Sequence, residues 1–493
     1  MRYFLSIDLG TMGVKTTLLN ENAHILSKKN REYCLISSAK DQAEQDPQDW
    51  WVSLVKNLNE IKDEEEKAFA NIEAVSICGQ MHTHVHLDQH NRPLGKAITW
   101  LDQRSAYVID RWQQTGEYTE LFNSTANFPT TSYTAPNLVR TREKKPEIFN
   151  QTARILLAKD YIKYKMTGRM ATDPSDASGT LLYDVERLKW SDEAFRITGL
   201  SRTLFPDVLD STAIMGRISG KAALETGIKE GTPVINGGSD HSVAEIGSGL
   251  FESGSASIIV GTAGVVATCS DEPKKDEKQR IICWAYPLKG RWDLLGLTQT
   301  AASCLTWFRD TFDGGSDDEI FNHYSTIASR IPPGSDGLLF LPYLLGERTP
   351  YWDSKARGIF FGISMNHRKA QFVRAIMEGV IFSLKNCLDV FQELGIQTGR
   401  IKTLGGGSKS GVWKQIMASA IKREIYTLES EEPSAVGNLV LAGLGTGRFE
   451  SIDEAKKIIK LKDKTVPDDN ETGIYNEQYR KYLTLYERLS DLY

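Results

Sequence analysis

Phe4-Leu5-Ser6-Ile7-Asp8-Leu9-Gly10-Thr11-Met12-Gly13-Val14-Lys15-Thr16-Thr17 stands at the start of the chain. Its apolar run ends on an acid, turns through two glycines and a threonine, and returns as a second β-prone run, Val14 to Leu19. Such a turn offers backbone N–H groups and a hydroxyl to a phosphate, with Lys15 close by. Asp8 at the same place suits a hydrated Mg²⁺. The stretch is not a Walker A loop, which needs G-x-x-x-x-G-K-[ST] running into a helix, whereas here a strand follows. Taken alone it reads equally as a tight hairpin with a buried Asp capping the turn, because Asp and Gly are turn residues for purely structural reasons.

The remainder of the chain narrows the choice. Its 493 residues are too many for one core, so two large domains are expected. Hydrophobic residues at 40% and charged residues at 25% are ordinary for a soluble globular protein. The formal net charge of −5 argues against a nucleic-acid partner. The six cysteines, Cys34, Cys78, Cys269, Cys283, Cys304 and Cys387, form no C-x-x-C pair and read as reduced thiols of a cytoplasmic protein. The first apolar run is broken by Asp8, so no signal peptide is read. The longest weakly polar run, Ala256 to Cys269, falls short of the ~20 apolar residues of a membrane span.

Strand-like and helix-like segments alternate, which points to the α/β class. Asp49 to Val55 starts an amphipathic helix, and the charge run Lys62 to Lys67 that continues it reads as a solvated face. A short strand, Ala74 to Ile77, leads to Gly79-Gln80-Met81-His82, and Thr83 to Asp88 reads as another strand. The second half echoes the first. Pro233 to Gly238 is a strand running into an acid at Asp240, and Ala256 to Thr268 is a strand, a Gly261-Thr262-Ala263-Gly264 turn and a strand. Two such turns about 250 residues apart suggest two related domains facing one another, 1–246 and 247–493. Arg368 to Leu394 has helical apolar spacing and stops at Gly395. Arg400 to Leu404 then reads as a strand, followed by the run Gly405 to Gly411 and a helix from Val412. Asp271 to Arg280 reads as an exposed loop, and Gly473 to Tyr493 as a surface-docked helical tail.

Three constellations can carry chemistry. The glycine run at Gly405, Gly406 and Gly407 lies between a strand and a helix start, where N–H groups and the helix dipole favour an anion. It does not complete a dinucleotide fingerprint. With the turns at Gly10 and Gly261 it makes a nucleotide held by several backbone loops, against a reading of three unrelated structural turns. Asp240 emerges at a strand's carboxyl end, where ligands of α/β sheets gather. There it is suited to take the proton of an attacking hydroxyl, or else simply to cap a helix. Gln80, Met81 and His82 also follow a strand end. His82, His84 and His86 would share one strand face. A metal site there lacks a Cys or carboxylate to complete a tetrahedral set, and His84 and His86 read as a partly exposed face. Trp100 and Asp102, with Arg104, combine an aromatic platform with an Asp–Arg pair, as found in sugar sites and in structural ion pairs alike.

These residues, taken in order, resemble the FGGY family of carbohydrate kinases. The carriers are Ile7 to Lys15, Glu44-Gln45-Asp46-Pro47 with Trp50-Trp51, Gly79 to His82, Lys159-Asp160-Tyr161 with Met166-Thr167-Gly168, and Asp173 to Thr180. The second half adds Leu341-Pro342-Tyr343 with Gly346 to Pro350, and Gly358 to Gly362. The resemblance implies an actin-like (ribonuclease H-like) two-domain ATPase fold with a cleft between the halves. It also implies ATP- and Mg²⁺-dependent phosphorylation of a sugar hydroxyl. It is nearest to the D-xylulose-phosphorylating members, which act on the hydroxyl of carbon 5. By position, Asp240 matches the catalytic base and Asp8 the acid that positions Mg²⁺ and phosphate, with both at the metal. Gln80, Met81 and His82, together with Trp100, Asp102 and His241, fall on the sugar side. Thr11 and Lys15 fall in the first phosphate loop, Gly261 and Thr262 in the second. Gly405, Gly406, Gly407 and Ser410 fall in the adenine-nucleotide loop, where some members carry Asn in place of Ser410. A homodimer is the assembly expected.

One departure bears on the acceptor. The usual pattern around the base, Gly-Gly-Gly-Asp-Asn, reads here Gly238-Ser239-Asp240-His241, and Ile98 to Ser105 is similar to the corresponding piece of the family's gluconokinases. Gluconate, ribulose or another ketose or polyol therefore stands beside D-xylulose as acceptor. A non-catalytic sugar or nucleotide sensor on the same fold is the rival of another class, and retention of Asp8, Asp240 and all three glycine loops argues against it. A chaperone-type ATPase of the actin-like class would lack the Met81-His82 pair.

Overall fold

The computed structural model describes residues 1–314 and 319–493. Two sheets dominate. The opening stretch forms β1 (Tyr3–Leu9) and β2 (Gly13–Asn20), an antiparallel hairpin that β3 (Ile25–Glu32) extends. On the other side of β1 lie β4 (Ile72–Gly79) and β6 (Pro233–Ser239), both parallel to it, and β5 (Ile214–Arg217) closes the edge antiparallel. The order is β5-β6-β4-β1-β2-β3.

The second sheet repeats this plan. The hairpin β7 (Gly254–Val260) and β8 (Gly264–Ser270) continues into β10 (Trp292–Thr298). Beside β7 run the parallel β11 (Thr398–Leu404) and β12 (Ile425–Leu428), then the antiparallel β13 (Leu461–Thr465). The order is β9-β10-β8-β7-β11-β12-β13, with β9 (Ile282–Ala285) an added edge strand. The two turns that echo one another in sequence thus sit at equivalent places in two equivalent sheets. This duplicated strand order is the ribonuclease H-like pattern.

Alternation along β1 divides its side chains between two cores. Leu5, Ile7 and Leu9 pack with Trp50, Leu54, Leu58 and Ile61 of α1 (Pro47–Glu64) on the outer face. That helix starts where Asp46 accepts the Gln48 N–H and Pro47 takes the first position, where its missing N–H costs nothing. Phe4, Ser6 and Asp8 point the other way, into a core shared between the sheets. That core holds α2 (Asp240–Gly247) and α5 (Pro433–Thr446), the latter a helix of the second half lying on β1, β4 and β6. Between them in sequence come α3 (Lys369–Glu393) and α4 (Gly411–Ile421).

Helices α2 and α5 cross backbone to backbone. A Cβ on Gly437 would stand 1.9 Å from the Val243 carbonyl oxygen, and one on Gly247 would stand 1.8 Å from that of Pro433. No side chain fits either place. At the end of the chain, α6 (Asp469–Leu489) buries Tyr475, Tyr479, Tyr482 and Tyr486, so the tail is part of the second core and not merely docked on the surface. Among the described residues no helix is long and apolar enough to cross a membrane.

Candidate active site

Strand register assembles the site. Leu9 pairs with Gly79, and Gly79 with Ser239, so the carboxyl ends of β1, β4 and β6 finish in one line. From that line leave Gly10-Thr11, Gln80-Met81-His82 and Asp240-His241. In the second sheet Ile259 pairs with Leu404, so Gly261-Thr262 and Gly405-Gly406 leave a matching edge side by side. Ligands of sheets with parallel strands gather at such edges.

Asp240 lies within electrostatic reach of Asp8. Both are half-buried as residues, and loss of water raises both carboxyls. Asp240 is pushed up to about 6 by burial first and then by the negative charge of Asp8. Asp240 Oδ1 accepts the His241 N–H at 2.8 Å. Lys15, beside Asp8, tempers the rise there, as do hydrogen bonds donated by Ser434 and Cys78. Lys15 itself is spoken for: its Nζ lies 2.7 Å from Glu432 Oε2, while Lys28 holds the other oxygen of Glu432 at 2.7 Å. Glu432 stands at the start of α5, so this ion pair ties β2 to the second half.

His82 does not lie on the following strand, which covers only His84–Leu87. It sits in the turn before it with φ of 65°, a left-handed conformation that His adopts more readily than most residues. Thr134 donates to its carbonyl at 2.9 Å and fixes the turn. The ring Nδ1 meets the Gly179 carbonyl at 2.6 Å, so it carries the proton and Nε2 is left as an acceptor. Tyr133 and Trp284 press edge-on against the ring, with centroids 4.9 and 5.6 Å away. Burial lowers its pKa to about 4, so it is neutral near pH 7. His84 and His86 are not partly exposed but 0% and 5% exposed. Strand periodicity gives two residues the same face without saying what covers it, and the covering elements come from elsewhere in the chain.

Each remaining candidate has a definite place. Gln80 is buried, donating to Gln45 Oε1 at 2.8 Å and accepting from Thr83 at 3.1 Å, and Met81 belongs to the shared core. The Trp100 indole N–H donates to the Thr11 hydroxyl at 2.9 Å, which joins the Ile98 to Ser105 stretch to the turn at Gly10. Asp102 is fully buried and engaged by Arg104 and by the Ala43 N–H, the structural side of its two readings. Thr262 and Gly406 are exposed, as is Gly405 with φ of 81°. A Cβ on Gly405 would lie 2.7 Å from the Val260 carbonyl oxygen, so glycine lets the two loops touch. Gly407 is buried under Val260 and Trp413. Ser410 caps α4 by accepting the Trp413 N–H.

Other residues join the site without having been singled out for a role. Asp173 accepts from Ser175 and Ser211, and the Ser175 hydroxyl in turn accepts the Ser239 N–H at 2.9 Å. Beneath them, the fully buried Lys159 holds Asp160, Asp173 and Asp176 at 2.8–2.9 Å. The Asp173 to Thr180 motif therefore fixes both the residue before Asp240 and the acceptor of His82. Arg348 comes from the second half, and its charge helps keep His82 unprotonated. Among the described residues it has no carboxylate ion-pair partner. Its motif was visible in the sequence, but the direction of its side chain was not.

The chain matches the FGGY family of carbohydrate kinases over both parts, the N-terminal domain over residues 3–247 and the C-terminal domain over 256–446. It is 34% identical to the xylulose kinase of Bacillus subtilis over all of its own length and 98% of that protein. It is 30% identical to the gluconokinase of the same organism over 99% of its length and 96% of that protein. The crystal structure of a ligand-bound xylulose kinase from Lactobacillus acidophilus superposes with a TM-score of 0.94 at 26% identity, covering 99% of each chain.

Proposed function

Because the chain belongs to the FGGY family of carbohydrate kinases and is an ATP-dependent sugar kinase, we propose that it phosphorylates the 5-hydroxyl of D-xylulose. The observation that carries the assignment of roles is the pair Asp8 and Asp240 at the carboxyl edge of the first sheet. Asp240 is the general base. With a pKa of about 6 it is ionised at neutral pH yet more basic than an ordinary carboxylate, which suits it to accept a hydroxyl proton.

The residues present fit Mg²⁺ and a nucleotide. The two carboxylates make an oxygen donor set, with Lys15 beside Asp8 and shared with Glu432. ATP supplies the phosphoryl group, and Mg²⁺ neutralises charge on its phosphates. Asp8 would hold the metal, with Asp240 close to it. Thr11, Lys15, Gly261 and Thr262 would bind phosphate, and Gly405, Gly406 and Ser410 the rest of the nucleotide. On the acceptor side His82 Nε2 would accept a sugar hydroxyl, while Met81 and Trp100 shape the wall beside it. Most of the acceleration would come from position and electrostatics, as is general for phosphoryl transfer.

The choice of xylulose is supported by the names of the most similar relatives and by the Met81-His82 pair. Gluconate is the competing acceptor, supported by the gluconokinase relative and by His241 where Asn is usual. An ADP-release assay with D-xylulose, L-xylulose, D-ribulose, L-ribulose, gluconate and glycerol separates these. D-Xylulose should give the highest kcat/KM, and a tenfold preference for gluconate would overturn the assignment. Asp240→Asn should lower kcat at least 10²-fold while sugar binding stays measurable.

A further inference from the structure

Directly behind the base, three side chains of ligand type converge. His241 and Glu245 stand one helical turn apart on α2, and Asp293 reaches them from β10. Their donor atoms all lie within 4.8 Å of one another. Glu245 is 1% exposed and Asp293 0%, while the His241 side chain keeps 20% of its surface.

The polar accounting of this cluster does not close. Ser242 donates to Asp293 Oδ2 at 2.7 Å. Both oxygens of Glu245, Oδ1 of Asp293 and Nε2 of His241 are buried with no hydrogen-bond partner from outside the cluster, and the one contact open to the two acids is a proton shared between them. His241 Nε2 comes within 2.7 Å of Glu245 Oε1, yet the two are out of line for a hydrogen bond. Among the described residues no Lys or Arg forms an ion pair with either acid. Two carboxylates sealed together from water repel, and buried charges persist only when paired or on a metal. Burial raises both acids, Glu245 up to about 8, and for Asp293 the negative charge of Glu245 adds to the rise while His241 opposes it.

We propose that His241, Glu245 and Asp293 bind a divalent cation of the Mn²⁺ or Zn²⁺ class, separate from the Mg²⁺ that accompanies ATP. One imidazole nitrogen with two carboxylates is a mixed set that suits these ions better than Mg²⁺ or Ca²⁺, which favour oxygen alone. Ligands about 2.0–2.2 Å from one ion stand roughly 3–4.4 Å apart, so the present spread needs only small side-chain rotations. Three protein ligands leave further positions to water or to a bound molecule. The ion would join the helix that begins with Asp240 to the second sheet, fixing the base by its far side. The inference is independent of which sugar is the acceptor.

The test uses the full-length protein without nucleotide. After loading with Mn²⁺ or Zn²⁺ and exhaustive dialysis, elemental analysis should find about one ion per chain. Glu245→Gln and Asp293→Asn should each lose it, whereas Asp8→Asn should retain it. Chelation should lower the unfolding midpoint of the native protein and leave that of Asp293→Asn unchanged. Should the two buried variants fail to fold, His241→Asn, at the rim, must weaken Mn²⁺ binding at least tenfold by electron paramagnetic resonance titration. Either of two results overturns the proposal. One is a native protein that holds neither ion and whose midpoint ignores the chelator, the carboxyls then sharing a proton. The other is an ion that survives all three substitutions and disappears in Asp8→Asn.

Discussion

Replacing Gly437 by Ala tests whether the crossing of α2 and α5 sets the distance between the two acids. The new methyl would stand 1.9 Å from the Val243 carbonyl oxygen, where ordinary contact begins at 3.4 Å. The neighbour is helix backbone and not the end of a flexible side chain, so the shortfall of about 1.5 Å falls on the helices themselves. Overpacking of this kind costs typically 1–3 kcal/mol, and a backbone clash belongs at about the upper end. The helices forced apart carry Asp240 at the start of α2 and Ser434, a partner of Asp8, at the start of α5. A displacement near 1 Å at reacting groups costs on the order of 10²-fold in rate. The variant should therefore lose about 3 kcal/mol in urea unfolding. In ADP release at saturating substrates it should lose about 10²-fold in kcat. Gly473→Ala is the control: it sits in α6 with nothing within 4 Å of its Cβ, and it should gain up to about 1 kcal/mol. If Gly437→Ala matched the native protein in both unfolding free energy and kcat, the crossing would not govern the geometry of the acids.

His82→Ala should raise the KM for the sugar about five- to thirtyfold and leave the KM for ATP within about twofold, since a hydrogen-bonded polar contact is worth about 1–2 kcal/mol; an unchanged sugar KM removes the ring from the site. Lys15→Met should raise the KM for ATP about tenfold, because the residue is placed between Asp8 and Glu432, and initial-rate kinetics over ATP concentration would read it. His86 has a pKa lowered by burial to about 3 against about 6.5 in the unfolded chain. Neutral His86 thus contributes stability that is full above pH 6.5 and is lost as pH falls toward 3. By pH 5.5 the loss is about 1.4 kcal/mol. Urea unfolding at pH 7.5 and 5.5 should show His86→Gln less acid-sensitive than the native protein by about that amount, and equal sensitivity in the two would refute the argument.

Much of the site could be read from the chain alone because the chemistry of turns is local. Gly10, Gly261 and Gly405 announce loops between elements, and a turn's conformation depends on residues three or four apart. Repetition of the opening hairpin near Gly261 was likewise legible, and the structure gives it meaning as the same position in a second sheet of the same order. The face of His84 and His86 is buried and not partly exposed as its pattern suggests, for the complementary reason. Periodicity assigns a side, but burial depends on what distant segments lay over it. Asp102 lay beyond sequence reasoning in another way: its spacing from Arg104 suits an ion pair and a sugar contact equally, and only the Ala43 N–H, 59 residues away, shows that its oxygens are occupied.

By itself, then, the sequence determined the strands, the glycine loops that end them and the acids those loops carry, since each follows from neighbours along the chain. Tertiary structure alone decided that Asp8 raises Asp240, that Lys15 answers to Glu432, and that Glu245 and Asp293 meet buried beside His241 with no Lys or Arg paired to either among the described residues. Those properties arise from desolvation and from Coulomb interaction through space, and both depend on distances between atoms that the chain places hundreds of residues apart.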